Sequence, residues 1–197
     1  MELNKRNTLT LSVAQGLSIT TTNINMINTG LVGTNLSANS ALATLPLSIQ
    51  FLTIALSLIP VSLLMGKFGR RLMFLFGAFS AFIGCLIIAF SIYDRSFLLF
   101  IIGSVLLGIS QANQQFYRYA AADNVSTNLK SKAISLVLAG GLIAAFIGPE
   151  ISKYSFDFFP DYIYLASYLL AALIQIINFV ILIFIKIDKP PPNKNLA

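Results

Sequence analysis

Residues 97–123 read FLLFIIGSVLLGISQANQQFYRYAAAD, an apolar run that ends in amides and charges. The run is long enough for a helix that crosses a bilayer core, which takes about 20 residues. Its last part carries four amide side chains and then Arg118 and Asp123, and such groups cost free energy when they face lipid. The stretch therefore predicts a membrane-spanning helix with a polar face near one of its ends.

The composition of the whole chain is that of a membrane protein. Of its 197 residues, 56% are hydrophobic and 10% are charged, whereas a soluble domain carries about 25% charged residues. The mean hydropathy is +0.81. With no histidine and one cysteine, Cys85, the chain offers few ligands for zinc or haem. We therefore expect neither a metal site nor a cofactor.

Six stretches of the chain are long enough to span a bilayer as helices. They cover residues 9–36, 41–65, 72–93, 97–121, 132–154 and 162–186. The pattern predicts an all-α membrane protein, with a six-helix transmembrane bundle over residues 1–187. The remaining segment, 188–197, is rich in proline and asparagine and is predicted to be a cytoplasmic linker or tail.

The basic residues predict the orientation of the bundle. With the N-terminus inside, ten of the 13 lysines and arginines fall in inner segments, Arg95 and Lys153 fall outside, and Arg118 lies within the fourth span. Short cytoplasmic loops carry such an excess of basic residues. We therefore expect both termini on the cytoplasmic side of a bacterial inner membrane. The net charge of +6 follows from this topology, so no nucleic-acid partner is expected.

Two of the six spans carry a polar stripe at helical spacing. The first stripe comprises Gln15, Ser18, Thr22, Asn25 and Thr29, and the second comprises Ser104, Gly108, Gln111, Gln115 and Arg118. Steps of three and four residues place each set on one helical face. The third and sixth spans are apolar nearly all round. We therefore expect the first and fourth spans to face water or each other, and the third and sixth to face lipid.

The order of polar, intermediate and apolar spans occurs twice along the chain. Pro60 in the second span and Pro149 in the fifth also lie at similar depths, although these two spans run in opposite directions. Both features predict two inverted three-helix repeats. The alternative is that the two prolines coincide by chance, since proline is common in membrane helices.

The loop after the second span resembles a known family motif. Residues 62–71 read SLLMGKFGRR, where transporters of the major facilitator superfamily have the cytoplasmic pattern G-x-x-x-D-R-x-G-R-R. The matching residues are Gly69, Arg70 and Arg71. Lys67 keeps a positive charge, and Gly66 stands where the family has an aspartate. Over its whole length the chain is similar to the N-terminal half of such a transporter.

The resemblance implies a fold and a mechanism. These transporters have two six-helix halves, each made of two inverted three-helix repeats, and the first and fourth helices of each half line a central cavity. Rocking of the halves moves a small-molecule solute across the lipid bilayer by alternating access. One half cannot do this alone. The resemblance therefore implies a second six-helix half, missing from this chain, or a homodimer partner.

A cytoplasmic gate is also implied by the resemblance. The family often has an acidic residue at the inner end of the fourth helix, where this chain has Asp123. We expect Asp123 to lie near Arg70 or Arg71 and their ion pair to hold the inner face in one state. The expected gate residues are Lys67, Gly69, Arg70, Arg71 and Asp123. The alternative for Asp123 is an ordinary solvated charge.

The fifth span resembles the antiporter motif of the family, in which spaced glycines end in Gly-Pro. Ala144, Gly148 and Pro149 fit this pattern, and later glycines are missing. The alternative is close helix packing, which uses the same small residues. If transport is proton-coupled, Glu150 is the titrating residue or the residue lies in the absent half. The alternative for Glu150 is an interfacial ion pair with Lys153.

The predicted substrate cavity lies between the two polar stripes. Its residues are Gln15, Thr22, Asn25, Thr29, Gln111, Gln115 and Arg118. Arg118 lies about 30 Å along the fourth span, near its inner boundary, and its guanidinium suits a carboxylate or phosphate. Two alternatives remain: Arg118 extends to the lipid headgroups, and the amides bind one another between helices.

We therefore expect transport of a small polar or anionic solute. An enzyme is not expected, because the chain has no carboxylate pair, no histidine and no nucleophile beside a base. The competing class is a non-transporting membrane subunit with a packed polar core, or a half-transporter without independent activity.

Overall fold

The computed structural model describes residues 2–187, and this part of the chain is helical without a strand. The helices are α1 Glu2–Leu36, α2 Leu45–Phe68, α3 Arg70–Tyr93, α4 Phe97–Gln114, α5 Tyr117–Asp123, α6 Lys130–Ser155 and α7 Leu165–Ile183. Short 3-10 turns, Ser40–Leu42 and Thr127–Leu129, precede α2 and α6. The predicted linker 188–197 lies outside the described residues.

Five helical segments between residues 2 and 187 are long and apolar enough to cross a membrane. They are α2 and α6 with their preceding turns, α3, α4 together with α5, and α7. Helix α1, with 35 residues, has the length, but its polar stripe keeps its hydropathy lower. The predicted all-α membrane class is confirmed, and five of the six predicted spans meet both criteria.

The fourth predicted span is interrupted, which the sequence did not predict. Helix α4 ends at Gln114, and the backbone N–H of Phe116 donates to the carbonyl of Asn113 over 3.1 Å, a tighter turn than an α-helix makes. The Asn113 side chain donates to the carbonyl of Ile109 over 2.9 Å, so it also binds helix backbone. A stripe drawn with one helical period therefore does not continue unchanged from Gln111 to Arg118.

Helices from the first half of the chain pack mainly on helices from the second half. Helix α1 lies against α6 and α7, and α4 lies against α2 and α3, while α3 and α7 pack on each other. One hydrophobic cluster includes Leu11, Phe74 and Tyr117, and a second includes Phe100 and Tyr168. In each cluster an aromatic pair meets edge to face, with ring centroids 4.7 Å apart for Phe74 and Tyr117.

Small residues allow α1 and α6 to approach closely. A Cβ atom on Gly140 would overlap the carbonyl oxygen of Ser12, and one on Gly148 would overlap the Cβ atom of Asn23. The Ser12 hydroxyl donates to the carbonyl of Leu136 over 2.7 Å. Membrane helices commonly associate through such small residues and interhelical hydrogen bonds.

Exposed apolar faces occur on α2 and α6 as well as on α3 and α7, the two helices predicted to face lipid. Helices α3 and α7 each bury one face and expose another, with Phe76, Phe90 and Leu173 among the exposed residues. The second and fifth predicted spans are more open: 11% and 22% of their most apolar windows is buried, against 56% in α3 and 44% in α7. The sequence did not predict this difference.

The two ends of the bundle's chain are joined by Asn7. Its Nδ2 atom donates to the carbonyl oxygen of Lys186 over 2.5 Å, and its Oδ1 atom accepts from the backbone N–H of Lys186 over 3.3 Å. Three residues before Lys186, the carbonyl of Ile183 accepts a hydrogen bond from the Nη2 atom of Arg71 over 2.6 Å. Ile183 ends α7, and the last carbonyls of a helix lack partners within the helix. The segment that leaves α7 is therefore bound to α1 and α3.

Candidate functional site

Asn25 lies at the centre of a buried polar cluster. Its Nδ2 atom donates to Oε1 of Gln50 over 2.6 Å, and its Oδ1 atom accepts from the Tyr168 hydroxyl over 3.0 Å. Asn25 is 1% exposed and Thr29 is 0% exposed. The Thr29 hydroxyl donates to the carbonyl of Asn25. These contacts join α1 to α2 and α7, and they place two of the predicted cavity residues in the interior of this helical unit.

A second buried cluster joins α1 to α7. The Nδ2 atom of Asn178 donates to the Ser18 hydroxyl over 3.0 Å and to Oε1 of Gln175 over 3.1 Å. Gln175 in turn donates to the Thr21 hydroxyl over 2.8 Å. The sequence interpretation missed Gln175 and Asn178 because it treated the sixth span as apolar nearly all round. Two amides three residues apart in an apolar helix were the signal for a shared helix face.

Gln111 connects the two predicted stripes. Its Nε2 atom donates to the Thr22 hydroxyl over 2.8 Å, so α4 and α1 meet through side chains that sequence analysis assigned to the cavity. A void of about 10 Å³ beside them is lined by Ser18, Thr21, Gln175 and the same two residues among others. That volume holds about one water molecule. The junction of the stripes therefore encloses no space for an organic solute in this structure.

Arg118 and Gln15 each carry a buried polar atom that lacks a partner among the described residues. These atoms are Nε of Arg118 and Oε1 of Gln15. The Arg118 guanidinium lies over the ring of Tyr119, with its carbon 4.9 Å from the ring centroid. Both side chains are half-buried, while Gln115 is exposed. Because an unpaired buried donor or acceptor costs free energy, these atoms favour a polar partner.

The inner loop after α2 depends on a glycine. Gly69, with φ 88° and ψ 152°, connects α2 directly to α3. Residues other than glycine rarely adopt this backbone conformation. The turn sets Arg70 at the start of α3, and its Nη2 atom lies 2.5 Å from Oδ2 of Asp123 at the end of α5. Of the predicted gate residues, the structure thus brings Arg70 and Asp123 into contact, while Arg71 binds the carbonyl of Ile183 and Lys67 lies over the ring of Phe68.

The predicted antiporter residues lie at the α1–α6 interface. Ala144 and Gly148 are buried, Ala144 near Gly16 and Gly148 against Asn23. Pro149 lies within α6, which continues to Ser155. Glu150 and Lys153 are exposed and form an ion pair at 3.9 Å. The packing alternative thus has a direct geometric basis, and the coupling role stays a prediction.

No group of three or more metal-ligating side chains occurs within the described part of the chain. A model of the Major Facilitator Superfamily matches residues 11–197.

The chain belongs to the major facilitator superfamily. The chain is also similar to the riboflavin transporter RfnT of Brucella anthropi, with 35% identity over 191 residues. The match covers 97% of this chain and 48% of that transporter, so the chain spans about half the length of this curated relative. The resemblance drawn from the loop motif is confirmed. Its family and its apolar helices make the chain an integral membrane protein.

Proposed function

We propose that this superfamily member forms one six-helix half of a permease that moves a small polar solute by alternating access. Riboflavin is the first solute to test, because the relative with 35% identity is named as a riboflavin transporter. Both ends of the bundle would face the cytoplasm of a bacterial inner membrane, as the excess of basic residues in the inner segments favours.

The helix packing supports two inverted repeats of three helices. If α1, α2 and α3 form one repeat, and α4 with α5, α6 and α7 the other, the first helix of each repeat packs on the last two of its counterpart. The third helices, α3 and α7, then pack on each other. This is the arrangement expected of a pseudo-two-fold axis between the repeats.

The unpartnered Nε atom of Arg118 is the observation that carries the solute site. Gln15 on α1 separately carries a buried acceptor, Oε1, that also lacks a partner among the described residues. Gln111 and Gln115 add amides on the same segment of chain, and Tyr119 is 47% exposed. Amides and a guanidinium suit carbonyl and hydroxyl groups, and an exposed ring suits a planar solute.

Asn25 and Thr29 take a different part in this proposal. Their side chains are fully buried and hydrogen-bonded within the helical unit, so they hold α1 against α2 and α7. Thr22, bonded to Gln111, would lie at the edge of the proposed cavity.

A second six-helix half, or a second copy of the chain, completes the cavity in this proposal. The junction of the stripes encloses only a water-sized void. The windows of the second and fifth spans are mostly unburied, which leaves apolar surface for a partner of the same kind. Rocking between the two halves would open the site to each side of the membrane in turn.

Uptake of labelled riboflavin tests the solute site. We expect Arg118→Ala to abolish uptake, because the substitution removes the buried donor. Membrane insertion should be unchanged. Arg6→Ala, which removes the same charge from an exposed position on α1, is the matched control. Normal uptake by Arg118→Ala would exclude a solute role for this side chain.

Labelling of single cysteines tests the rival class, a non-transporting subunit with a packed core. In a Cys85→Ala background, we expect a water-soluble thiol reagent to label Gln111→Cys and Gln115→Cys, with protection by riboflavin. Asn25→Cys, on a fully buried position, should stay unlabelled. If neither glutamine position reacts from either side, the packed-core class replaces the transporter.

A further inference from the structure

A cavity of about 700 Å³ lies beside the first turns of α1 and the beginning of α6. Its wall includes Lys5 and Leu9 from α1 and Ser126 from the connection after α5. Leu129, Lys132 and Leu136 line it from the 3-10 turn and from α6. It shares no residue with the proposed solute site, and its volume is in the range of small-molecule binding pockets.

The polar part of this cavity is positively charged. Lys5 and Lys132 are exposed. Among the side chains of residues 5–187, the ion pairs are Arg70–Asp123 and Glu150–Lys153, so neither of these lysines has a carboxylate partner there. The Ser126 hydroxyl adds a neutral donor to the same wall.

The remaining wall of the cavity is apolar and open. Leu9 is 57% exposed, Leu136 44% and Leu129 42%. Within a membrane this surface would face acyl chains. Cationic and apolar surface thus occur together in one cavity, at the level where α1 and α6 meet the cytoplasmic boundary in the proposed orientation.

We propose that this cavity binds an anionic glycerophospholipid of the inner leaflet. The lipid phosphate would lie at Lys5 and Lys132, and an acyl chain would lie along Leu9, Leu129 and Leu136. Basic pockets between membrane helices on the cytoplasmic side suit anionic headgroups. The site rests on the proposed orientation of the bundle and is independent of the solute.

Native mass spectrometry of the purified polypeptide in detergent tests the site. The probes are phosphatidylglycerol and phosphatidylcholine with identical acyl chains. We expect phosphatidylglycerol to bind at least about tenfold more tightly, because phosphatidylcholine carries a compensating cation. Lys5→Gln with Lys132→Gln should remove this preference. Equal binding of the two lipids by the unmodified protein would overturn the proposal.

A matched double variant separates this cavity from general surface charge. Arg6→Gln with Lys130→Gln removes two charges within two residues of the lining lysines, at exposed positions that do not line the cavity. We expect this variant to keep the preference within about twofold. If it loses the preference as fully as the first variant, binding is diffuse and the site is wrong. Circular dichroism of both variants confirms that the helices are retained.

Competition with inorganic phosphate distinguishes a lipid from a free anion. We expect millimolar phosphate to leave phosphatidylglycerol bound, because the acyl chain contributes to binding, and Leu9→Gln with Leu136→Gln to weaken it. Displacement by phosphate at low concentration would overturn the lipid assignment. Labelling of Ser126→Cys from each side of the membrane tests the orientation separately, so a failed orientation, a failed lipid site and a failed solute site give different results.

Discussion

Asn25 shows how a polar residue in a membrane helix can be explained by its neighbours alone. Its position in a stripe of five polar residues predicted a cavity-lining side chain. In the structure both ends of its amide are bound, to Gln50 and to Tyr168, and the side chain is buried. The sequence cannot distinguish a water-filled cavity from a hydrogen-bonded interior. A polar stripe shows only which face of the helix is polar, and not which groups that face contacts.

Replacement of Asn25 should therefore destabilise the bundle. In Asn25→Ala the Tyr168 hydroxyl and the Gln50 amide are left buried without this partner, and we expect a loss of about 1–2 kcal/mol in the free energy of unfolding. Unfolding in mixed detergent micelles provides the measurement. Tyr168→Phe, which removes one of the two bonds, should cost less, and the double variant should cost less than the sum. Strict additivity of the two losses would contradict the cluster.

At the scale of the helical elements, the contact between α1 and α6 is set by backbone approach. Gly140→Ala places a Cβ atom against the carbonyl oxygen of Ser12, so the two helices must separate. We expect a loss of about 1–3 kcal/mol in the free energy of unfolding, as for other overpacked sites. Gly66→Ala is the control, since a Cβ atom there meets nothing within 4 Å. The control should be neutral or stabilising by up to about 1 kcal/mol. Similar values for both variants would exclude close packing.

The pair between Arg70 and Asp123 joins the beginning of α3 to the end of α5. The side chains are 24% and 55% exposed, so water screens the pair and its contribution is about 1 kcal/mol or less. If it holds the inner gate closed, Asp123→Ala should raise the rate at which Gln115→Cys is labelled from the cytoplasmic side by up to about fivefold. Exchange of the two residues, Arg70→Asp with Asp123→Arg, should restore the slow rate. A rate indifferent to all of these changes would remove the gate.

Element boundaries differ in how well the sequence predicts them. The apolar run of the third span predicted a helix over 72–93, close to the observed Arg70–Tyr93. A continuous hydrophobic run of this length is typical of a single membrane-spanning helix, so its bounds follow from hydropathy. The break after Gln114 was not predictable in this way, since it depends on local bonds of Asn113 and Phe116 rather than on hydropathy. The proximity of Arg70 to Asp123 followed from family resemblance, and composition alone would not have indicated it.

At the scale of the whole molecule, the exposed faces of α2 and α6 distinguish lipid from protein contact. Leu56 and Leu142 are each 67% exposed in this chain. If a second half covers these helices, fluorophores on cysteines at the two positions should be quenched by brominated lipid less than one at Phe90, which is 55% exposed on α3. Stronger quenching at Leu56 and Leu142 than at Phe90 would mean that lipid covers them and that the second half lies elsewhere.

The amide of Asn7 gives the six-helix unit a mechanical property. Because this amide binds both backbone groups of Lys186, the segment after α7 separates from α1 only if two hydrogen bonds break. Tension or torque applied through the segment beyond Ile187 would thus be shared between the first and last helices of the unit. A force that arrives there would therefore reach α1, the helix that carries Gln15 and Thr22.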